Sequence, residues 1–387
     1  MRVEEGLGKN RQRGRPLNET EEKQTASRGR EAARSLTTSD LRVKSIRPLI
    51  APAILHEQFP LSPEGADLVQ KTRGEIAAIL NGEDDRLIAV VGPCSIHDPK
   101  AALDYAARLA GVRDELKDDL LIVMRVYFEK PRTTVGWKGL INDPYLDESY
   151  AVNDGLSIGR RLVLDLAGMG IPAATEFLDP ITPQFFSDIL VWSAIGARTT
   201  ESQVHRQLAS GLSMPVGFKN GTGGGVQIAV DAVGASIHPH SFLGVTDQGL
   251  AGIVTTEGNP DCHIILRGGK NGPNYDAGNV ASTLDLLEKA KLPRRVMIDA
   301  SHANSEKDYR NQPKVVSDIS EQIRNGQREI VGVMMESFIE DGAQSLGGKT
   351  GRDDLTYGQS VTDSCMGWSM TVPTLRELAS AVRDRRA

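Results

Sequence analysis

The sequence predicts an α/β protein, a (β/α)8 TIM barrel with an N-terminal extension and an inserted β-hairpin. Two observations predict this fold. Eight short apolar or β-branched runs recur along the chain, and helical patterns separate most of them. The runs do not alternate with polar residues, which is typical of parallel strands covered on both faces. Eight strand–helix units are the number that closes such a barrel.

The predicted strands are, in order, Leu87–Val91, Leu121–Val126, Ile171–Phe177, Ala194–Ala197, Pro215–Phe218, His263–Leu266, Arg295–Ile298 and Ile330–Met335. A barrel of this type takes about 250 residues, so a chain of 387 residues has room for extensions. We expect residues 40–387 to form a single barrel domain, with 40–85 as the N-terminal extension and first helix.

Several helices carry boundary signals. Ser62–Pro63 is an N-cap and N1 pair, and Gly82 ends the helix that follows. Residues 100–117 are amphipathic, with apolar residues on one face. Thr200 is expected to begin another helix, and Pro373 is expected to open the last one.

One stretch interrupts the strand–helix rhythm. A helix at about 224–235 is followed by two strand-like runs, Phe242–Val245 and Ile253–Thr256, joined by Asp247-Gln-Gly. We interpret residues 240–256 as an inserted hairpin. Surface insertions of this kind commonly carry function, so we expect it to serve regulation, specificity or assembly.

Residues 1–39 differ from the rest of the chain. They hold nine Lys or Arg and six Asp or Glu, but few aliphatic residues. Such a segment cannot bury enough apolar surface to offset the entropy lost on ordering. We expect a disordered tail, and its acidic residues argue against a transit peptide.

Composition excludes several classes of protein. Lys plus Arg is 45 and Asp plus Glu is 51, and the net charge of −6 argues against a nucleic-acid partner. No apolar run reaches the roughly 18 residues of a membrane span. Cys94, Cys262 and Cys365 form no CxxC pair, so we expect no disulfide framework and a cytoplasmic location.

Polar residues stand where the predicted strands end, and barrel active sites lie at those ends. Six of them are cations: Arg125, Lys130, Arg132, Arg198, Lys219 and Arg267. Like charges repel unless an anion lies between them, and Arg offers paired donors to carboxylates and phosphates. We therefore expect small, phosphorylated anions as ligands. Salt bridges from the cations to neighbouring helices are the alternative.

A second group could hold a metal ion. Cys94, His302 and Glu336 stand at strand ends, and Asp363 follows in a loop. Sulfur, nitrogen and oxygen donors together favour one divalent ion of Mn, Fe, Co or Zn. Taken alone, Cys94 is better interpreted as a small buried apolar residue, and His302 could be a capping residue.

Other candidates carry weaker signals. Cys262 and Cys365 are interpreted as structural. His238 and His240 could pair on a metal, although their place beside the hairpin favours turn residues. The glycine-rich run 221–225 could wrap a phosphate with backbone N–H groups, but it lacks the Lys-Ser/Thr of a P-loop.

Six longer motifs resemble one known family. They are Gly92-Pro-Cys-Ser-Ile-His-Asp-Pro99, Lys130-Pro-Arg-Thr-Thr-Val-Gly-Trp-Lys-Gly139, Gly196-Ala-Arg-Thr-Thr-Glu-Ser-Gln203, Gly217-Phe-Lys-Asn-Gly-Thr222, Leu266-Arg-Gly-Gly-Lys270 and Asp299-Ala-Ser-His-Ala-Asn304. From about residue 40 to the C-terminus the chain resembles the type I 3-deoxy-D-arabino-heptulosonate 7-phosphate (DAHP) synthases, in their feedback-regulated microbial branch.

The resemblance implies a metal-dependent transferase. It condenses phosphoenolpyruvate with erythrose 4-phosphate and water, the first step of the shikimate pathway, which leads to chorismate and the aromatic amino acids. The resemblance also implies a homodimer or homotetramer and an aromatic amino acid as effector.

The resemblance also assigns residues. It implies that Cys94, His302, Glu336 and Asp363 bind the metal, beside the substrates. Phosphoenolpyruvate would contact Arg125, Lys130, Arg198, Lys219 and Arg267, and Glu176 would position water or substrate. Arg132 and Thr133 would bind the phosphate of erythrose 4-phosphate. Lys130, between the two substrates, is the candidate for proton transfer, which makes Lys130, Cys94 and His302 the expected catalytic residues.

The effector site follows by resemblance too. It would comprise Asp40, Val43, Pro183, Gln184, Ser213, Phe242 and Gly244. Phenylalanine-sensitive relatives tend to carry Ser at the position of Gly244, and tyrosine-sensitive ones tend to carry Gly. The missing side chain leaves room for a phenolic hydroxyl, so we favour tyrosine. Gly223 departs from the family, which usually has Asp there.

Three alternatives remain at this point. An octulosonate-phosphate synthase would use a different sugar phosphate, but the Lys130-Pro-Arg-Thr-Thr run and the hairpin argue against it. A catalytically silent paralogue would lack a ligand or a cation, and none is missing. A metal aldolase could use a Schiff base on Lys219.

Overall fold

The computed structural model describes residues 38–132, 136–347 and 354–387. The chain divides into two units, residues 1–48 and Leu49–Ala387. Most of the expected tail therefore lies outside the described residues, as does Thr133. In the first unit, residues 38–48 are exposed and form no helix or strand.

The second unit contains the predicted barrel, which the structure confirms. Its described strands are β1 (Leu87–Gly92), β2 (Leu120–Arg125), β3 (Ala173–Glu176), β4 (Trp192–Ile195), β5 (Val216–Lys219), β6 (Ser241–Val245), β7 (Ala251–Thr255), β8 (Cys262–Leu266), β9 (Val296–Asp299) and β10 (Ile330–Glu336). Eight of them close a parallel barrel in the order β1-β10-β9-β8-β5-β4-β3-β2.

Helices cover the barrel. The described ones are α1 (Pro52–Gln58), α2 (Pro63–Leu80), α3 (Pro99–Leu116), α4 (Val152–Gly168), α5 (Pro183–Phe186), α6 (Gln203–Ala209), α7 (Gln227–Ser236), α8 (Ala277–Lys289), α9 (Gln312–Arg324) and α10 (Trp368–Arg386). Every residue of the eight barrel strands is buried, because side chains fill the interior and helices cover the outside. None of the described helices is both long and apolar enough to cross a membrane.

The predicted boundaries of α2 are confirmed. The Ser62 hydroxyl accepts a hydrogen bond from Gly65 N at 3.1 Å, and Pro63 occupies the first helical position. Beyond the helix, Gly82 adopts a φ of 75°, a conformation that glycine takes without steric cost.

Two predicted helix starts are wrong. Thr200 does not begin α6, because its hydroxyl donates to Lys219 O at 2.7 Å and Ser202 takes the N-cap position. Pro373 does not open α10 but lies inside it. The helix begins five residues earlier at Trp368, whose ring packs edge-on against Tyr105 at 5.4 Å, and this tertiary contact outweighs the local preference of proline.

Strand β4 lies two residues earlier than predicted, over Trp192–Ile195. Trp192 belongs to the barrel core, and its Nε1 donates to His263 Nε2 at 3.2 Å. Gly196 instead begins a turn, since its carbonyl accepts hydrogen bonds from the N–H groups of Thr199 and Thr200. That turn carries residues of the site described below.

The inserted hairpin is confirmed as the antiparallel pair β6–β7. Phe242 lies opposite Val254, and Gly244 lies opposite Gly252. These residues are half-buried, whereas Leu243 on the other face is 89% exposed. The turn of the hairpin is tied to α1, because Ala53 N donates to Asp247 O at 2.8 Å.

Candidate active site

A cavity of about 610 Å³ opens at the carboxyl ends of the barrel strands. Its walls come from β3, β5 and the loops that follow β2, β4, β5, β8, β9 and β10. Among the described residues, seven cations line it: Lys130, Arg132, Arg198, Lys219, Arg267, Lys270 and Lys307. Glu176 and Asp363 are the acidic residues in this described part of the lining. So dense a group of cations favours multiply charged anions as ligands.

Of the six cations predicted from the sequence, Arg125 does not line this cavity. Its side chain is completely buried behind the wall, where Nε donates to Pro93 O at 3.1 Å. Nη2 donates to Cys94 O at 3.3 Å and to Glu336 Oε1 at 3.0 Å. Arg125 thus holds the carboxylate of Glu336 and the backbone of Cys94, two expected metal ligands.

Tyr127 connects three of the cations. The guanidinium carbon of Arg125 lies 3.4 Å from the centre of its ring, and the ammonium groups of Lys130 and Lys219 lie at 5.7 and 5.8 Å. Burial raises the pKa of the Tyr127 phenol well above its ordinary value, so the ring stays neutral. Its electron-rich face therefore stabilises the clustered positive charge by cation–π interaction.

Carboxylates hold the Lys219 ammonium in place. Its Nζ lies 3.1 Å from Asp299 Oδ2 and 3.9 Å from Glu176 Oε2. A Cβ on Gly196 would stand 2.3 Å from Glu176 Oε1, so only glycine leaves room for that carboxylate. Lys219 is arranged as a fixed cation, which disfavours the Schiff-base alternative.

Three of the four expected metal ligands come together. Cys94, Glu336 and Asp363 each offer one ligand atom, and these atoms lie within 4.8 Å of one another. His302 lies outside this group, but its Nε2 is 3.8 Å from Glu336 Oε1. A smaller cavity of about 70 Å³ adjoins His302, Glu336 and Asp363. A thiol, an imidazole and two carboxylates fit a divalent transition metal.

Short contacts hold the Asp363 loop against the loop of Cys94. Cys94 N donates to the sulfur of Cys365 at 3.3 Å, and the hydroxyls of Ser95 and Thr362 are 2.7 Å apart. Cys365 thus has the structural role that the sequence predicted. These contacts bring together the expected ligands Cys94 and Asp363, which are 269 residues apart in the chain.

Asp299 and Ser301 orient the His302 ring. Ser301 Oγ donates to Asp299 Oδ1 at 2.5 Å and lies 2.8 Å from His302 Nδ1, which is 2.9 Å from Asp299 Oδ2. Because Ser301 Oγ gives its own proton to Asp299, it accepts from the N–H at Nδ1, and Nε2, 3.8 Å from Glu336 Oε1, is the ring nitrogen available to a metal. His302 has a φ of 56°, which turns its side chain back over the site.

Burial and charge shift the pKa values of the site. Burial, assisted by Glu336, raises the pKa of Cys94 to about 11, so a metal must displace the thiol proton on binding. Burial acts to raise the pKa of Asp363, but Lys130 and His302 outweigh it and hold the value below normal. For Lys130 burial acts downwards, yet Cys94 and Glu336 raise the pKa above its ordinary value.

Sequence reasoning missed Lys270 and Lys307 as cavity residues and did not select Asp299. Lys270 stood at the end of a quoted motif, so a search extending four residues beyond each strand finds it. Lys307 has no such signal, because the positive φ angles of Glu306 and Lys307 bring it back to the cavity. Thr222 lines the cavity from the glycine-rich loop, whose Gly221 N is taken by Gly225 O.

The expected effector residues lie in both units. Asp40 and Val43 belong to the first unit, where Val43 N donates to Asp40 O at 3.1 Å. In the second unit, Pro183 and Gln184 lie on α5, Ser213 lies in the exposed loop before β5, and Phe242 and Gly244 lie on the half-buried face of β6. None of them lines either of the two cavities described above.

Comparisons with known proteins agree on one family. The model of the DAHP synthetase I family matches residues 58–376. A tyrosine-inhibited phospho-2-dehydro-3-deoxyheptonate aldolase from Schizosaccharomyces pombe is 58% identical over 90% of this chain and 94% of its own length. A Phe-sensitive one from Escherichia coli is also 58% identical, over 90% of this chain and 98% of its own.

A solved structure has the same fold. It is the phospho-2-dehydro-3-deoxyheptonate aldolase of Francisella tularensis, with a TM-score of 0.87 and 52% sequence identity. The likeness covers 89% of this chain and 100% of the other.

Proposed function

The chain belongs to the DAHP synthetase I family, and from this premise we propose that it joins phosphoenolpyruvate, erythrose 4-phosphate and water into DAHP and phosphate. The observation that carries the proposal is the cavity lined by seven cations, which adjoins a cluster of sulfur, imidazole and carboxylate ligands. The cations suit two phosphorylated substrates, and the ligand cluster suits a metal ion that polarises a carbonyl oxygen.

We assign phosphoenolpyruvate to the inner half of the cavity. Lys130, Arg198, Lys219 and Arg267 would neutralise its phosphate and carboxylate, and Arg125 would act from behind the wall. The phosphate of erythrose 4-phosphate would bind at the outer side, on Arg132 and Thr133, of which Thr133 lies outside the described residues. Fixed cations hold two anions at reacting distance, although these would repel each other in water.

Cys94, His302, Glu336 and Asp363 would hold one divalent ion of Mn, Fe, Co or Zn. When bound there, the ion would polarise the aldehyde carbonyl of erythrose 4-phosphate as a Lewis acid. The donor set supports this assignment, and Asp299 and Ser301 engage Nδ1 of His302, which leaves Nε2, 3.8 Å from Glu336 Oε1, for the ion.

The protein groups act on charge and protons. C3 of phosphoenolpyruvate attacks the aldehyde carbon, positive charge develops at C2, water adds there, and the C2–O bond to phosphate breaks. Glu176 would orient the attacking water or the substrate. The raised pKa of Lys130 keeps its ammonium protonated, which suits a fixed cation between the two substrates and disfavours a resting general base. Lys130 remains our candidate for proton transfer because of its place between the substrates, although the raised pKa makes its ammonium a weak acid.

The direct test is consumption of phosphoenolpyruvate by metal-loaded protein with erythrose 4-phosphate, compared with arabinose 5-phosphate. We expect turnover with the four-carbon substrate only. Turnover only with arabinose 5-phosphate would move the chain to octulosonate chemistry. No turnover with any of the four metals would support the silent paralogue. Lys130→Met should abolish turnover, and near-normal activity would remove Lys130 from the mechanism.

An aromatic amino acid inhibits the named relatives, and we propose the same regulation for this chain, with tyrosine as the effector. Overall sequence identity does not distinguish tyrosine from phenylalanine as the effector, since a tyrosine-inhibited and a Phe-sensitive relative are both 58% identical to this chain. The choice rests on the resemblance at Gly244, since tyrosine-sensitive relatives tend to carry Gly at this position. Adding tyrosine, phenylalanine and tryptophan singly to the assay tests it, and inhibition by none would discard the effector assignment.

We also propose a cytoplasmic homodimer or homotetramer, on the family resemblance. Light scattering of the purified protein would measure its mass, and a monomer at assay concentration would contradict the assembly.

A further inference from the structure

Three buried asparagines join the loops at the carboxyl ends of β5, β8 and β9. Asn220 follows Lys219, Asn274 lies beyond Lys270, and Asn304 lies two residues after His302. Their exposed fractions are 0%, 7% and 2%. Burying an amide costs free energy unless its donors and acceptors are satisfied, so the partners of these side chains reveal what they hold.

Asn220 and Asn274 hold the loop that carries Arg267. The side-chain oxygen Oδ1 of Asn220 accepts hydrogen bonds from Arg267 N at 2.8 Å and from Asn274 Nδ2 at 3.2 Å. Asn220 Nδ2 donates to Gly268 O, and Gly268 N donates back to Asn274 Oδ1 at 2.7 Å. The backbone on both sides of the Arg267 side chain is thus fixed by amide groups.

Asn304 extends the chain of hydrogen bonds to the turn that carries His302. Its Oδ1 accepts from Asn274 N at 2.8 Å. Its Nδ2 donates to Asp299 O at 2.9 Å and to Leu266 O at 3.2 Å. One side chain therefore fastens the last residue of β9 to the last residue of β8.

The two loops approach so closely that no larger residue fits between them. A Cβ on Gly268 would stand 2.8 Å from the backbone of Ala303 and Asn304, and its φ of 70° disfavours any other residue. The loop of Arg267 and the turn of His302 therefore meet backbone to backbone. A small displacement of one loop is therefore transmitted to the other, and the asparagine amides bridge the two beyond the paired strands β8 and β9.

We propose that Asn220, Asn274 and Asn304 are positioning residues that fix the anion-binding loop of Arg267 against the turn of His302. This inference rests on the proposed function, because it assumes that the first loop binds phosphoenolpyruvate and the second a metal. The asparagines touch neither. They keep the two half-sites at one separation, so that a bound anion and a bound metal ion are held in a fixed relation.

Asn304→Asp tests the proposal most directly. The substitution keeps the shape of the side chain and the acceptor for Asn274 N, but it replaces two donated hydrogen bonds by a carboxylate facing two carbonyl oxygens. The turn and the loop should separate. We expect Mn²⁺ affinity to fall by about 10–100-fold, the range typical of groups that orient metal ligands, and the KM for phosphoenolpyruvate to rise in the same variant.

Asn259→Asp is the matched control. Asn259 is also buried, and its Nδ2 donates to three carbonyls, those of Ala209, Leu212 and Met214. It precedes β8 and therefore lies at the opposite end of the barrel. Its substitution should lower the melting temperature about as much as Asn304→Asp, while Mn²⁺ affinity and KM stay within about twofold.

The readouts are Mn²⁺ binding by electron paramagnetic resonance, phosphoenolpyruvate binding by calorimetry, steady-state kinetics and the melting temperature. Normal binding of both by folded Asn304→Asp would overturn the proposal, as would equal losses in Asn259→Asp. If Asn304→Asp does not fold, Asn274→Asp, which loses one donor only, takes its place with the same criteria. If the wild-type protein binds both ligands without turnover, the proposed function is contradicted. The role of the asparagines can still be tested, because the two binding measurements do not depend on turnover.

Discussion

At the residue scale, charges of the site are used in pairs. Asp299 faces both His302 and Lys219, so one carboxylate orients a metal ligand and a substrate-binding cation. Burial acts to raise the pKa of Asp299, but the charges of His302 and Lys219 outweigh it and hold the value well below normal. Asp299 is therefore ionised at neutral pH, and we infer that its role is orientation.

Asp299→Asn tests that role. The amide has almost the same shape, but the charge that pairs with Lys219 is lost and Nδ1 of His302 meets a weaker acceptor. We expect Mn²⁺ affinity to fall by about 10–100-fold and turnover to fall with it. Asp308→Asn is the control, because Asp308 lies on the same loop and pairs only with exposed Arg310 in the described structure. Unchanged Mn²⁺ binding in Asp299→Asn would contradict the assignment.

Tyr127 gives a second prediction at this scale, because its ring rather than its hydroxyl faces the cations. Tyr127→Phe keeps the ring and should change the KM for phosphoenolpyruvate by less than about twofold. Tyr127→Leu removes an interaction of about 2 kcal/mol from a desolvated site, so the KM should rise by about tenfold or more. Tyr105→Leu, another buried tyrosine, should lower stability without raising the KM. Equal KM values in Tyr127→Phe and Tyr127→Leu would contradict the ring's role.

At the scale of elements, the barrel strands were predictable because buried parallel strands are continuous apolar runs. Strand β4 was misplaced because its start is set by a partner 71 residues away, His263, rather than by local sequence. The start of α10 was wrongly predicted at Pro373 for the same reason, since the contact of Trp368 with Tyr105 extends the helix towards the N-terminus. The site cations followed from the strand ends, whereas Lys307 and Asp299 depend on loop geometry and side-chain pairing.

The hairpin carries the prediction about effector choice. A Cβ on Gly244 would lie 2.5 Å from Val254 Cγ2, so Gly244→Ser must turn Val254 and fill the space beside Phe242. We expect inhibition by tyrosine to weaken and inhibition by phenylalanine to strengthen, measured as inhibitor concentrations for half activity. Gly252→Ser lies opposite on the same strand pair and should leave the preference unchanged. An unchanged preference in Gly244→Ser would separate the hairpin from effector choice.

At the scale of the whole molecule, the two ends of the barrel have different chemistry. The carboxyl ends of the strands gather cations and metal ligands, whose mutual repulsion costs stability until ligands bind. The amino end is closed by apolar packing around the Trp192–His263 hydrogen bond, and Arg295 Nη2 donates to Pro260 O and Cys262 O below it. We infer that the amino end supplies rigidity and the carboxyl end supplies function.

This division predicts an acid-sensitive fold. Burial, with Arg295 nearby, lowers the pKa of His263 from 6.5 to about 3, so the unfolded chain binds a proton more readily than the folded one. The contribution of His263 to the free energy of unfolding is therefore present above pH 6.5 and is lost as the pH falls towards 3, by about 2 kcal/mol at pH 5. Urea unfolding of wild type and His263→Gln at pH 7 and pH 5 measures this loss. Glutamine can accept from Trp192 and donate to Asp261 O without titrating, so the free energy of unfolding of His263→Gln should fall less between the two pH values, by that amount.

His238→Gln, at an exposed histidine, should behave as wild type. Equal losses in wild type and His263→Gln would place the acid sensitivity elsewhere in the barrel.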